Sequence, residues 1–179
     1  GISGTLGIGG ALFGLAMGAT RILGTGRNRE LLERVKALAP DRIEVFSNAD
    51  GEAIDAWVKA RTDGLGVDTF IDALGPGAPH ETFQQGVRAL KRGGRAFNIG
   101  AIAGMVGMDL HTMMDEQQSI EGSAWFTAGE GQDMADMAEA GTLDLSVFEH
   151  VCYPLDRINE AISGIASRNG GFSNFVINP

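Results

Sequence analysis

Glycines in the first ten residues constrain the fold more than any other feature of this sequence. Gly1, Gly4 and Gly7 recur at a spacing of three, and an apolar helical pattern containing Ile8 and Leu12 follows at once. A glycine turn that opens a helix lets the backbone approach a phosphate closely, and the helix start offers unpaired N–H groups and a positive dipole end. The stretch therefore predicts a turn that binds a pyrophosphate group.

The position of this turn in the sequence is unusual. A phosphate-binding turn of this kind normally follows a buried strand, and no residue precedes Gly1 here. We therefore expect a sheet that lacks its first, central strand in this chain. Glycine spacing without a preceding strand is a weak signal on its own, so its interpretation depends on the rest of the chain.

Strand and helix patterns alternate through the first hundred residues. The predicted strands are 21–25, 43–46, 67–74 and 95–99, with a turn at 91–94; the helices between them begin near Ile8, Asn28, Asp50 and Pro79, with Asn28 and Asp50 as N-caps. This alternation predicts a doubly wound parallel sheet of the Rossmann type in an α/β fold. Beyond it we expect a strand at 119–126, a helix at 132–140, a strand at 148–153, a helix at 156–167 and a last strand at 172–177.

Charge and composition exclude several classes of partner and site. The formal net charge is -9, so the chain repels nucleic-acid phosphates and anionic lipids, and neither is an expected partner. The single cysteine excludes an internal disulfide and a multi-cysteine zinc site within this chain. No apolar run reaches transmembrane length, and the cytoplasm is the expected compartment.

Five motifs in this order point to one family. They are the glycine turn at 1–7, the strand at 67–72 followed by Gly75, the Gly-Gly-Arg at 93–95, the stretch 154–161 and the terminal 175–179. Together they resemble the medium-chain dehydrogenase/reductases, which are zinc-type alcohol dehydrogenases and their quinone-reductase relatives. The resemblance covers essentially the whole chain.

The resemblance implies the cofactor-binding half of an NAD(P)-dependent alcohol dehydrogenase, which transfers a hydride between nicotinamide and an alcohol or carbonyl substrate. It implies a Rossmann domain over residues 1–141 and a segment over 142–179 that returns to a mostly absent catalytic domain. No catalytic or metal-binding residue is expected in this chain, which should be inactive alone; zinc would be held by residues outside it. The alternatives are a zinc-free quinone or enone reductase and a non-catalytic dinucleotide-binding module.

The candidate cofactor-binding residues lie in the turn and at the ends of strands. The backbone of Thr5, Leu6 and Gly7 is expected to hold the pyrophosphate, and the strand ends to line the adenosine and nicotinamide parts. The full set is Ser3, Gly4, Thr5, Leu6 and Gly7 in the turn, then Gly26, Arg27 and Asn28, and finally Leu74, Gly75, Gly100 and Ala101.

Gly26 and Arg27 bear on the choice of cofactor. NAD-binding units of this type place an acidic residue where Gly26 stands, to accept hydrogen bonds from the adenosine ribose. Glycine leaves room for a 2′-phosphate, and Arg27 can supply a charged bidentate contact. We therefore expect NADP(H) to be favoured over NAD(H).

Two further features have competing interpretations. The spacing of Asp68 and Asp72 puts both on one face of a strand, but we expect them to shape the strand end and cap turns instead of forming a catalytic pair. The run 104–110 is apolar and has no lysine, arginine or proline to protect an exposed sheet edge. The family resemblance favours an edge strand here that pairs with its copy in a homodimer; the alternative is a loop folded over its own core.

Overall fold

The computed structural model describes residues 1–49, 51–165 and 170–179. The chain divides into two compact units, each assembled from separate stretches of sequence. The first unit contains Gly1, 23–27 and 45–125, and the second contains 2–22, 28–44 and 126–179. The expected division at residue 141 stays a prediction.

Helices and strands alternate as the sequence predicts. Their bounds are α1 (Thr5–Ala16), β1 (Ile22–Gly26), α2 (Arg29–Lys36), β2 (Ile43–Ser47), α3 (Ile54–Ala60), β3 (Val67–Asp72), α4 (His80–Arg88), β4 (Leu90–Asn98), α5 (Leu110–Asp115), β5 (Ser119–Gly122), α6 (Ala128–Glu139), β6 (Glu149–Pro154), α7 (Ile158–Gly164) and β7 (Ser173–Asn178). Single 3-10 turns occupy Leu155–Arg157 and Gly170–Phe172. The N-cap predicted at Asp50 and the end of the helix predicted at 156–167 lie outside the described residues.

The sheets are parallel, which confirms the α/β class. β3, β4 and β5 form a three-stranded parallel sheet with β4 in the middle, and β6 pairs with β7 in parallel. β1 pairs with β2. The strands predicted as one sheet thus lie in a two-stranded and a three-stranded group, and no ladder joins the groups within the described residues.

β4 begins earlier than predicted. The expected turn at 91–94 is instead an irregular start of the strand, because the pairing shifts from Val67–Leu90 to Thr69–Arg95. Gly93, at φ +73, takes the left-handed conformation that such a bulge favours. The local sequence predicts a turn here because turns and bulges both favour glycine in the left-handed conformation.

The edge strand predicted at 104–110 is wrong. This segment is a loop, and Ile102, Val106 and Met108 pack against the buried cluster of Phe83, Val87, Leu90 and Ala96. Val106 and Met108 therefore cover the core, whereas Met105 and Leu110 of the same segment are exposed. α4 holds the loop in place, since His80 Nε2 lies 2.7 Å from the Ala103 carbonyl oxygen and Gln84 Nε2 donates to Gly107 O at 2.6 Å.

α5 was not predicted, although Asp109 signals its start. The Asp109 carboxylate accepts from the N–H groups of His111 and Thr112, both at 3.1 Å. Such an N-cap satisfies donors that have no intrahelical partner.

In the second unit, side chains of Asn28 and Arg42 cap the ends of helices. Asn28 Oδ1 accepts from Leu31 N at 3.1 Å, which confirms the predicted N-cap of α2. Arg42 donates to the carbonyls of Leu15 and Ala19 at 3.1 Å, and so brings positive charge to the end of α1, whose last turn has no basic residue. None of the described helices is long and apolar enough to span a membrane.

Candidate functional site

The first backbone N–H groups of α1 lack hydrogen-bond acceptors among the described residues. Gly4 is its N-cap, and the first helical hydrogen bond runs from Ile8 N to Gly4 O at 2.9 Å. The N–H groups of Thr5, Leu6 and Gly7 have no recorded acceptor within the described residues, and the first turn has no acidic side chain. Three donors and the positive end of a helix therefore point in one direction without internal compensation, an arrangement that suits an anion.

Gly4 leaves free space beside these donors. Its φ of -87° and ψ of 166° are extended values open to any residue, so the backbone does not demand glycine. A Cβ added at Gly4 meets nothing within 4 Å, so packing within the protein does not demand glycine either. A phosphate that approaches the N–H groups would occupy this space, and the turn therefore fits a pyrophosphate group.

Ser3 immediately precedes the N-cap of α1. Its carbonyl oxygen accepts from Gly171 N at 2.9 Å, so the turn is attached to the chain near its C-terminal end.

In the first unit, the structure brings together the predicted residues that follow β3 and β4. Ala101 N donates to Leu74 O at 2.8 Å. A Cβ at Gly100 would lie 2.7 Å from both the N and the O of Leu74, so glycine is needed for this close approach. Gly75 follows, exposed, on the same segment.

Gly26 and Arg27 lie at the end of β1 in the same unit. Gly26 O accepts from Asn48 N at 3.0 Å, which places the end of β2 beside them. Arg27 is exposed, and within the described ranges its side chain makes no ion pair or hydrogen bond. Its guanidinium is thus available to an external anion.

Asp72 is fully buried at the end of β3. Its Oδ1 accepts from Leu74 N at 2.9 Å, which confirms the interpretation of Asp72 as a turn cap. Burial raises the pKa of Asp72, with the Leu74 N–H acting in the opposite direction. Asp68 is exposed instead and pairs with Lys91, whose hydrogen bond lowers the pKa of Asp68. The two carboxylates therefore do not act as a pair.

Sequence reasoning singled out Asp72 but missed the other polar residues at the strand ends. Four buried side-chain oxygens of the described residues have no hydrogen-bond partner: Ser47 Oγ, Asn48 Oδ1, Asp72 Oδ2 and Asn98 Oδ1. They follow or close β2, β3 and β4 at the carboxyl ends, the edge at which parallel sheets bind ligands. The signal in the sequence is a polar residue that closes each apolar strand. No cluster of three or more potential metal ligands occurs in the part of the chain that the structure describes.

We expect Asp72→Asn to change the pH dependence of stability. A buried carboxyl with a raised pKa stabilises the fold fully below its unfolded pKa of about 4, and this contribution is lost as pH rises through the folded pKa. Asparagine keeps the acceptor for Leu74 N but cannot ionise. The difference in unfolding free energy, variant minus parent, should therefore increase as the pH rises above 4. The total increase is about 1.4 kcal/mol for each unit by which folding raises the pKa of Asp72.

Urea unfolding between pH 4 and pH 8 measures this difference. Asp68→Asn is the matched control, because its lowered pKa gives a contribution of opposite sign that is present above pH 4 and lost as pH falls. If the unfolding free energy of Asp72→Asn minus that of the parent stays constant or decreases as pH rises, the raised pKa of Asp72 is contradicted.

Comparison with known proteins adds to this geometry. A family model described as zinc-binding dehydrogenase matches residues 5–140. No curated protein sequence matches the chain. Solved structures with a similar fold include an alcohol dehydrogenase from Thermus sp. ATN1 (TM-score 0.83, 18% identity, covering 98% of this chain and 50% of that one).

Two further solved structures belong to the same comparison. They are benzyl alcohol dehydrogenase from Acinetobacter calcoaceticus (TM-score 0.81, 19% identity, covering 98% of this chain and 48% of that one) and a quinone oxidoreductase from Pseudomonas syringae pv. Tomato DC3000 (TM-score 0.71, 18% identity, covering 99% and 55%). At these identities the likeness concerns the fold. The chain spans about half the length of these structures.

Proposed function

The chain belongs to the zinc-binding dehydrogenase family, within the medium-chain dehydrogenase/reductases, and from this premise we propose that it binds NADP(H) as the cofactor portion of an alcohol dehydrogenase or carbonyl reductase. The observation that carries the proposal is the open start of α1. Its unpaired N–H groups, together with the empty space at Gly4, form a cradle for the pyrophosphate.

The other predicted residues take positions along the dinucleotide in this proposal. Gly26, Arg27 and Asn28 would contact the adenosine ribose, and the segments at 74–75 and 100–101 would line the rest of the cofactor. Bound nicotinamide supplies or accepts the hydride. The proposed part of this chain in that reaction is to hold the cofactor, and any zinc would be held by residues outside the chain.

Arg27 carries the proposed preference for NADP(H). We expect Arg27→Ala to weaken NADPH binding by one to two decades and to leave NADH binding nearly unchanged, because a charge-assisted hydrogen bond to the 2′-phosphate is worth roughly 1.5–3 kcal/mol. Parallel calorimetric titrations of parent and variant with both cofactors measure this. Equal affinities of the parent for NADPH and NADH would exclude the 2′-phosphate pocket.

A zinc-free quinone or enone reductase of the same family is the second candidate, favoured by the similarity in fold to the quinone oxidoreductase from Pseudomonas syringae. A non-catalytic dinucleotide-binding module is the third. Steady-state assays with alcohols, aldehydes and quinones, on a protein that contains this chain and its natural flanking sequence, separate the three.

We also propose that the protein forms a homodimer, with β5 as the contact in place of the loop at 104–110. Among the described residues, β5 pairs only with β4, so its second edge is open, and Ile120 on it is partly exposed. Trp125, which is 88% exposed, follows closely. Light scattering should give twice the mass of one chain, and Ile120→Lys should halve it; a monomeric parent would refute the proposal.

A further inference from the structure

The 3-10 turn Gly170–Phe172 lies directly on the start of α1. Gly171 N donates to Ser3 O at 2.9 Å. A Cβ added at Gly171 would lie 2.2 Å from both the carbonyl carbon of Gly4 and the nitrogen of Thr5. These are backbone atoms, which cannot rotate away as the end of a long side chain can. Ordinary contact begins at 3.4 Å, so any side chain at position 171 forces the two segments apart by more than an ångström.

The C-terminal segment is the better anchored of the two. Phe172 is 1% exposed, and the Arg34 guanidinium lies 4.0 Å from the centre of its ring. Arg34 also pairs with Glu149, and the other oxygen of that carboxylate accepts from Ser173 Oγ at 3.4 Å. The opposing residues Gly4 and Thr5 are exposed. Ile2 and Ile8 on either side are buried, so when the segments separate we expect the exposed peptide between Gly4 and Thr5 to move more than the buried ring of Phe172.

We propose that Gly171 is a positioning residue for the pyrophosphate turn. It contributes no atom to the cofactor. Its missing side chain lets the turn Gly170–Phe172 pack directly against the peptide between Gly4 and Thr5, and its N–H fixes the Ser3 carbonyl. The N–H groups of Thr5, Leu6 and Gly7 are thereby held at a set direction. This inference rests on the proposed dinucleotide binding.

Gly171→Ala tests the inference, with Gly129→Ala as the matched control. Gly129 is in the same unit, and a Cβ there makes only an ordinary contact with Thr127 Oγ1 at 3.9 Å. Two quantities are measured on the parent and on each variant: the backbone amide resonances without ligand, and the dissociation constant for NADPH. We expect Gly171→Ala to move the amide signals of residues 4–7 and to weaken NADPH binding about tenfold or more, because displacements of an ångström in a binding site have effects of this size. Gly129→Ala should change neither.

The outcomes separate the two proposals. Unmoved amide signals at 4–7, or an unchanged NADPH affinity beside a Gly4→Ala variant that has lost it, overturn the positioning role of Gly171 alone. A parent that does not bind NADPH overturns the proposed function and, with it, the part of this inference that concerns the cofactor. If Gly171→Ala does not fold, Phe172→Leu replaces it, since it removes the contact with Arg34 but keeps an apolar side chain. Unmoved amide signals at 4–7 in Phe172→Leu would likewise overturn the inference.

Discussion

Gly4→Ala should abolish most dinucleotide binding and leave the fold nearly unchanged. The backbone at Gly4 is extended and a Cβ there meets nothing within 4 Å, so alanine is accommodated at a cost of about 1 kcal/mol or less for a poorer N-cap. The methyl group would occupy the space from which a phosphate reaches the N–H groups. Loss of two charge-assisted hydrogen bonds at about 1.5 kcal/mol each predicts a weakening of NADPH binding by about two decades.

Gly10→Ala is the matched control for this prediction. It lies inside the same helix, again with nothing within 4 Å of an added Cβ. We expect it to stabilise α1 by about 0.5–1 kcal/mol and to leave the NADPH affinity unchanged. Calorimetric titration and urea unfolding of the three proteins give both quantities. A Gly4→Ala variant that binds as tightly as the parent would show that the space at Gly4 is not used by the ligand.

Gly66→Ala should lower the free energy of unfolding by about 2–5 kcal/mol. Gly66 has φ +94, which costs a residue with a side chain about 1–2 kcal/mol. A Cβ there would also lie 2.4 Å from Ala89 O and 2.8 Å from Leu90 C, where overpacking costs typically about 1–3 kcal/mol. These atoms lie where α4 ends and β4 begins, so the substitution opposes the pairing of Val67 with Leu90 that begins the parallel sheet.

Gly64→Ala separates the two contributions. Gly64 lies in the same loop at φ +82, but a Cβ added to it meets nothing within 4 Å. Gly64→Ala should therefore lower the free energy of unfolding only by the cost of the positive φ, about 1–2 kcal/mol. Urea unfolding of both variants tests the difference, and equal losses would show that close packing at Gly66 does not matter.

Local sequence was sufficient for the elements that depend on short-range patterns. The alternation of apolar runs and helical patterns predicted β1 to β4 and α1 to α4 in order, and Asn28 caps α2 as its side chain suggested. The run at 104–110 was misassigned because a mostly apolar segment without lysine, arginine or proline suits a sheet edge and a core cover equally well. Only the position of the cluster around Phe83 decides between them.

The contacts that shape the candidate site join residues far apart in the sequence. Gly171 lies against Gly4, and Gly100 against Leu74, and no periodicity relates these positions. The sequence also could not predict that the side-chain oxygens of Asp72 and Asn98 are buried without a hydrogen-bond partner. Polar residues at strand ends are common, and only the structure shows which of them lack a partner. Sequence could therefore place the turn and its helix, but not the support behind the turn.

Titration of the nitrogen-labelled chain with NADPH, followed through its backbone amide resonances, tests the proposed function most directly. We expect saturable binding, with the largest changes in amide resonances at Thr5, Leu6 and Gly7 and further changes at Arg27 and Ala101. We also expect the changes at residues 5–7 to disappear in Gly4→Ala. No saturable binding, or saturable binding that leaves the amides of residues 5–7 unmoved, would contradict the assignment of this turn as the pyrophosphate site.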